Sequence, residues 1–87
     1  MRAVISVVGK DMVGILAKTS SICANANANV IEVSQTVLQG YFAMIMIVEI
    51  SELTCDLDEL RKNLTTTLSE MTIHVMHEDI FNSMHRI

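Results

Sequence analysis

The sequence predicts an α+β sandwich of order βαββαβ, with a four-stranded antiparallel sheet, two helices on one face and a short C-terminal helical tail. Three observations lead there. Four short stretches are strand-like apolar runs, and two segments between them switch to helical spacing. A Gln39-Gly40 pair joins the two middle stretches as a tight hairpin, because Gly supplies positive φ cheaply.

Residues Arg2 to Val8 are rich in Val and Ile and read as the first strand. Gly9-Lys10-Asp11-Met12-Val13-Gly14 breaks that run and opens a helix over Val13 to Ala28. Ile15, Leu16, Thr19, Ile22, Cys23 and Ala26 fall on one helical face, with Lys18, Ser21 and Asn25 away from it. The Ala-Asn repeat from 24 to 29 is the exit, since Asn tolerates the left-handed backbone that ends helices. Val30 to Leu38 and Tyr41 to Ile50 are the second and third strands. Asp56 is placed as the N-cap of the second helix, with Glu59 completing a capping-box-like pair. Leu57, Leu60, Leu64, Leu68 and Met71 form its apolar stripe, leaving Arg61, Lys62 and Glu70 to solvent. Thr72 to His77 is the last strand. Ile80, Phe81, Met84 and Ile87 then recur at the spacing of a short helix that should dock on something. Right-handed crossovers put both main helices on one sheet face, the ferredoxin-like arrangement.

The third strand is apolar on both faces: Ala43, Ile45 and Ile47 point one way, Phe42, Met44, Met46, Val48 and Ile50 the other. A sheet with one wet face would alternate apolar with polar. Burying a side chain of this size is worth ~1.5–3 kcal/mol. Five such residues left wet would forfeit several kcal/mol of a total near ~5–15 kcal/mol. The face without helices is therefore expected to be covered, by a second chain or by the tail, and a homodimer is expected.

Composition narrows the function. The chain has 87 residues, 51% of them apolar, room for one domain only. Mean hydropathy is +0.42, high for a small soluble domain, yet no run approaches the ~20 apolar residues of a membrane span. No signal peptide is read at the N-terminus, so a cytoplasmic location is expected. A net charge of −4, scattered Lys and Arg and 3% aromatics argue against nucleic acid. Cys23 and Cys55 form no C-x-x-C and are expected to be reduced, partly buried thiols. His74, His77, Glu78 and Asp79 are candidate metal ligands, but 74 and 77 point to opposite faces of a strand, so no metal is expected. His85 is expected to be exposed or at an interface. Met44 and Met46 are expected in packing rather than soft-metal binding. No catalytic constellation assembles, and Gly9 to Gly14 is followed by Ile15-Leu16 rather than the Lys-[Ser/Thr] of a P-loop. No enzyme activity and no cofactor are expected.

The segment Gly9-Lys10-Asp11-Met12-Val13-Gly14-Ile15-Leu16-Ala17 resembles the G-x-D-x-x-G-[IV] loop at the first strand–helix junction of ACT domains. The Asn29-Val30-Ile31 start of the second strand is similar to the Asn-[IV] pair found there. The resemblance takes in the whole chain, 1–87, as one ACT domain with residues 78–87 as an apolar tail. The closing run from Glu78 to Ile87 resembles the C-terminus of a family of small stand-alone bacterial and archaeal ACT-domain proteins related to the glycine-cleavage-system repressor.

That resemblance implies a regulatory domain that senses an amino acid where two domains meet. It implies ligand contacts from Gly9, Lys10, Asp11, Met12, Val13, Gly14, Ile15 and Asn29; such a regulator is expected to act by changing its association with another regulatory protein or enzyme. Part of the chemistry follows from the residues themselves. A helix N-terminus suits a carboxylate. Gly14 permits close approach to the backbone, Asp11 can accept from an ammonium, and Asn29 can donate and accept. Three alternatives stand beside this. Asp11 and the glycines could serve only the cap and the turn. The chain could be a ligand-free dimerisation or interaction module. A small acyl-phosphate hydrolase is a third, although Lys10 is the only base in the loop where that chemistry needs an Arg.

Overall fold

A computed structural model describes residues 1–84. The order is β1 (Arg2–Lys10), α1 (Ile15–Asn25), β2 (Asn29–Leu38), β3 (Tyr41–Glu49), α2 (Leu57–Thr67), β4 (Thr72–His77) and α3 (Glu78–Met84). The four strands form one sheet in the order β2-β3-β1-β4, antiparallel throughout, as expected for the ferredoxin-like arrangement. The expected places of Ile87 and His85 lie outside the described residues.

The middle hairpin is a two-residue turn. Gln39 and Gly40 both have positive φ, 53° and 82°, the geometry whose twist matches the flanking strands. α1 is shorter than its periodicity suggests. It starts at Ile15 because Gly14, with φ 86°, is its N-cap, and it ends before Asn27, which takes φ 61°. The Asn27 side chain then donates to the Glu52 carbonyl at 3.0 Å, holding the exit. Asp56 caps α2 as expected, its carboxylate accepting from the Glu59 N–H at 2.8 Å.

The core lies between the sheet and the two long helices. Ala3, Ile5 and Val7 of β1 and Phe42, Met44, Met46 and Val48 of β3 meet Ile15, Thr19 and Cys23 of α1 and Leu60 and Leu64 of α2. Thr19 is the one buried polar residue among those described, and its hydroxyl donates to the Ile15 carbonyl at 2.8 Å, which removes the penalty of burying it. Leu16, expected on the buried stripe, is exposed. Arg61, expected in solvent, is half-buried. It donates from Nη2 to the Val75 carbonyl at 3.0 Å and from Nη1 to Asp58, tying α2 to β4.

The two faces of β3 differ more than its sequence suggests. The five-residue set from Phe42 to Ile50 is the helix-covered side and is buried, Met44, Met46 and Val48 completely. The other face carries Ala43, Ile45 and Ile47, continued on β2 by exposed Glu32, Ser34, Thr36 and Leu38. α3 packs on the β1–β4 half of this face, with Phe81 half-buried while Ile80 and Met84 of its apolar stripe stay 52% and 65% exposed. Val4 beneath it is 1% exposed, whereas Ile45 beside it remains 40% exposed.

Candidate functional site

The loop from Gly9 to Ile15 is held at both ends. Lys10 closes β1 opposite Tyr41, and the Asp11 N–H donates to the Gly40 carbonyl at 2.9 Å, so the loop is pinned to the hairpin turn. At the far end Ile15 is buried in the core and the Lys18 N–H donates to the Gly14 carbonyl at 2.9 Å, the first bond of α1. Between these anchors Lys10, Asp11, Met12 and Val13 are exposed, Val13 at 97%.

Gly14 explains why the helix start is open. Its left-handed backbone makes it the N-cap, and no side chain caps α1. The first-turn N–H groups therefore face outward with their partial positive charge. Among the described hydrogen bonds the Asp11 carboxylate takes none, so it is not spent on the cap. Gly9 has a different job. A Cβ there would come within 2.8 Å of Met71 Sδ, so this glycine makes room for the turn between α2 and β4. Met12 sits over that turn and lines a small hollow of about 170 Å³ with Leu68, Glu70 and Met71.

Asn29 is elsewhere. It pairs with Glu49, which pairs with Arg2, at the end of the sheet opposite the loop. There it borders a separate shallow hollow of about 400 Å³ with Ser20, Ala24 and Ala28. The fold thus gathers Gly9, Lys10, Asp11, Met12, Val13, Gly14 and Ile15 and leaves Asn29 apart.

Other chemistry-bearing side chains are distributed rather than clustered. Cys23 is a free thiol in the core, and burial pushes its pKa up to about 11. Cys55 is a free thiol, half-buried in the groove between α1 and α2, and desolvation followed by the charges of Glu59 and Asp56 raises it. Glu49 is held down to about 2, first by the Met1 ammonium and the Ser51 hydroxyl that donate to its carboxylate. His74 and His77 lie on opposite faces of β4, and among the described residues no group of three or more His, Cys, Asp or Glu could hold a metal ion. No helix of the described residues is long and apolar enough to cross a membrane.

Sequence reading missed one grouping. Ser6 of β1 and His74 of β4 are cross-strand partners on the sheet face that α3 partly covers. Neither residue stands in a motif, and only the strand register brings them together.

Residues 2–78 match the family model for the ACT domain. The chain is 46% identical to a UPF0237 protein of Listeria innocua over 89 aligned positions, covering all of both chains. It is 46% identical to a UPF0237 protein of Methanocaldococcus jannaschii over 88 positions, covering 99% of this chain and 98% of that one. Among solved structures it superposes on an ACT domain protein from Streptococcus pneumoniae with a TM-score of 0.76 and 38% identity, covering 93% of each chain.

Proposed function

The chain belongs to the ACT domain family, a family of regulatory ligand-binding domains, and on that premise we propose that it senses an amino acid at a homodimer interface and acts without catalysis. The observation that carries this reading is the loop from Asp11 to Ile15. An exposed carboxylate with no described partner stands four residues before a buried anchor, beside a helix start that no side chain caps. An α-amino acid presents the complementary pair, an ammonium for Asp11 and a carboxylate for the α1 N–H groups.

The dimer has its own support. β2 is an edge strand, and every residue from Ile31 to Leu38 is exposed, including Ile31, Val33, Val37 and Leu38. Unpaired, apolar edges are templates for strand addition, and native proteins cover them. Antiparallel pairing of β2 with its symmetry mate would extend the sheet and bring Asn29 of one copy towards the loop of the other. The ligand would then bridge two copies, and binding could alter affinity for a regulatory protein or enzyme only through its different affinity for the two states. The same exposed edge also favours a second reading, a ligand-free interaction module.

A thermal-shift screen against the twenty amino acids at millimolar concentration separates the two. Ligand at ~100 times its dissociation constant adds ~2.7 kcal/mol, a shift of many degrees for a domain this size. One selective hit, lost in Asp11→Ala, is the expected result. A flat screen with intact folding would reject amino-acid sensing and leave the interaction module.

A further inference from the structure

On the sheet face turned away from α1 and α2, a cleft of about 250 Å³ remains between α3 and the strands. Val4, Ile45, Met76, Phe81 and Met84 line it with hydrocarbon, thioether and one ring, and Ser6 and His74 supply its polar atoms. Polarity rises in one direction. Val4 is buried, Ser6 half-buried and His74 exposed, as are Ile45 at 40% and Met84 at 65%, so the cleft has a dry floor, an open rim and its hydrogen-bonding groups at one end. As direct cross-strand partners Ser6 and His74 have β-carbons about 4.5–5.5 Å apart, close enough for one small oxyanion to accept from a hydroxyl and an imidazole N–H together.

We propose that this cleft is a second ligand site, distinct from the Gly9–Ile15 loop, and that it takes a short-chain aliphatic carboxylate, with the hydrocarbon under α3 and the head at Ser6 and His74. The volume is that of about eight liquid waters, which suits an acyl chain of about four to eight carbons. The cleft's apolar lining, open to solvent at Ile45 and Met84, gives a hydrocarbon chain surface to bury. A carboxylate placed deep in it would lose hydration without compensation, so the head sits at the His74 end. Glu78, the acid at the start of α3, does not line this cleft; it faces Arg2 at 3.5 Å in a separate hollow with Met1 and His77.

The test is an amide chemical-shift titration of the full chain with butyrate, hexanoate, octanoate and hexanol. The expected shifts map to Val4, Ser6, Ile45, His74, Met76 and α3. Affinity rises about fourfold per methylene until the cleft is full and then levels off. Hexanoate binds more tightly than hexanol, and His74→Leu, at an exposed position, removes that difference while hexanol binding persists. The proposal is overturned if affinity ignores chain length, if the shifts map to the Gly9–Ile15 loop, or if the acid keeps its advantage in His74→Leu. Shifts on this face that follow protein concentration rather than added acid would assign it to a second copy and overturn it equally.

Discussion

Asp11 and Asn29 stand at opposite ends of one sheet. The Asp11 N–H is bonded to the Gly40 carbonyl beyond the last pair of the β2–β3 hairpin, while Asn29 makes the first pair of β2, opposite Glu49. The ten residues of β2 separate them by roughly 30 Å at the usual strand rise. An amino acid is far too short to touch both within one chain.

If both residues serve the ligand, they do so from different copies, and this has a sharp consequence. Asp11→Ala and Asn29→Ala should each abolish binding alone. Mixed and allowed to exchange, they should recover part of it, because each mixed dimer carries one site with both residues intact. Calorimetry on the separate and mixed variants reads this directly. Full binding by Asn29→Ala alone would exclude Asn29 from the site, and a mixture as inactive as its parts would reject the shared arrangement.

The fold was legible because each element carried its own local signal. Period switches at about Val13 and at Asp56 marked the helix starts, the Gln39-Gly40 turn fixed the hairpin, and the Asn-rich segment from 24 to 29 held the end of α1, which comes at Asn25, short of the Ala28 that its periodicity suggests. What escaped was relational. The apolar sides of β3 looked equivalent in sequence, and only the helices decide that Met44 and Met46 lie in the core while Ile45 faces the partly open side. Arg61 read as a surface charge because its stem's packing and its bond to the Val75 carbonyl depend on β4 lying beneath α2. The loop motif was visible from Gly9 to Ile15, but the distance to Asn29 was not, since it follows from strand direction and register.

Gly14 gives a clean test of backbone against ligand. Its φ is 86°, and a Cβ there would meet nothing within 4 Å. The only intrinsic penalty for Gly14→Ala is therefore the left-handed backbone, about 1–2 kcal/mol, and Gly14→Asn should lose less. Urea midpoints of the three proteins measure this. Equal stability of all three would mean that the loop rearranges freely, and the helix start would then not be the fixed anion-binding feature invoked above.

Glu49 contributes to the acid limb of stability. One of its carboxylate oxygens, Oε2, accepts from the Met1 ammonium at 2.8 Å, the Ser51 hydroxyl at 2.7 Å, and the Ile50 and Ser51 N–H groups at 3.1 and 3.2 Å. Its pKa falls from 4.5 to about 2 in the folded chain. A carboxylate depressed by folding contributes stability that is fully present above its unfolded value and is lost as pH falls through the folded one. The contribution should hold from neutral pH to about 4.5 and fade between about 4.5 and 2. Glu49→Gln cannot titrate there, so the gap in urea midpoint between native chain and variant should narrow across that window. Because the group is exposed, the gap should also shrink with added salt. A gap independent of pH across the window would show that the four donors do not favour the charged form.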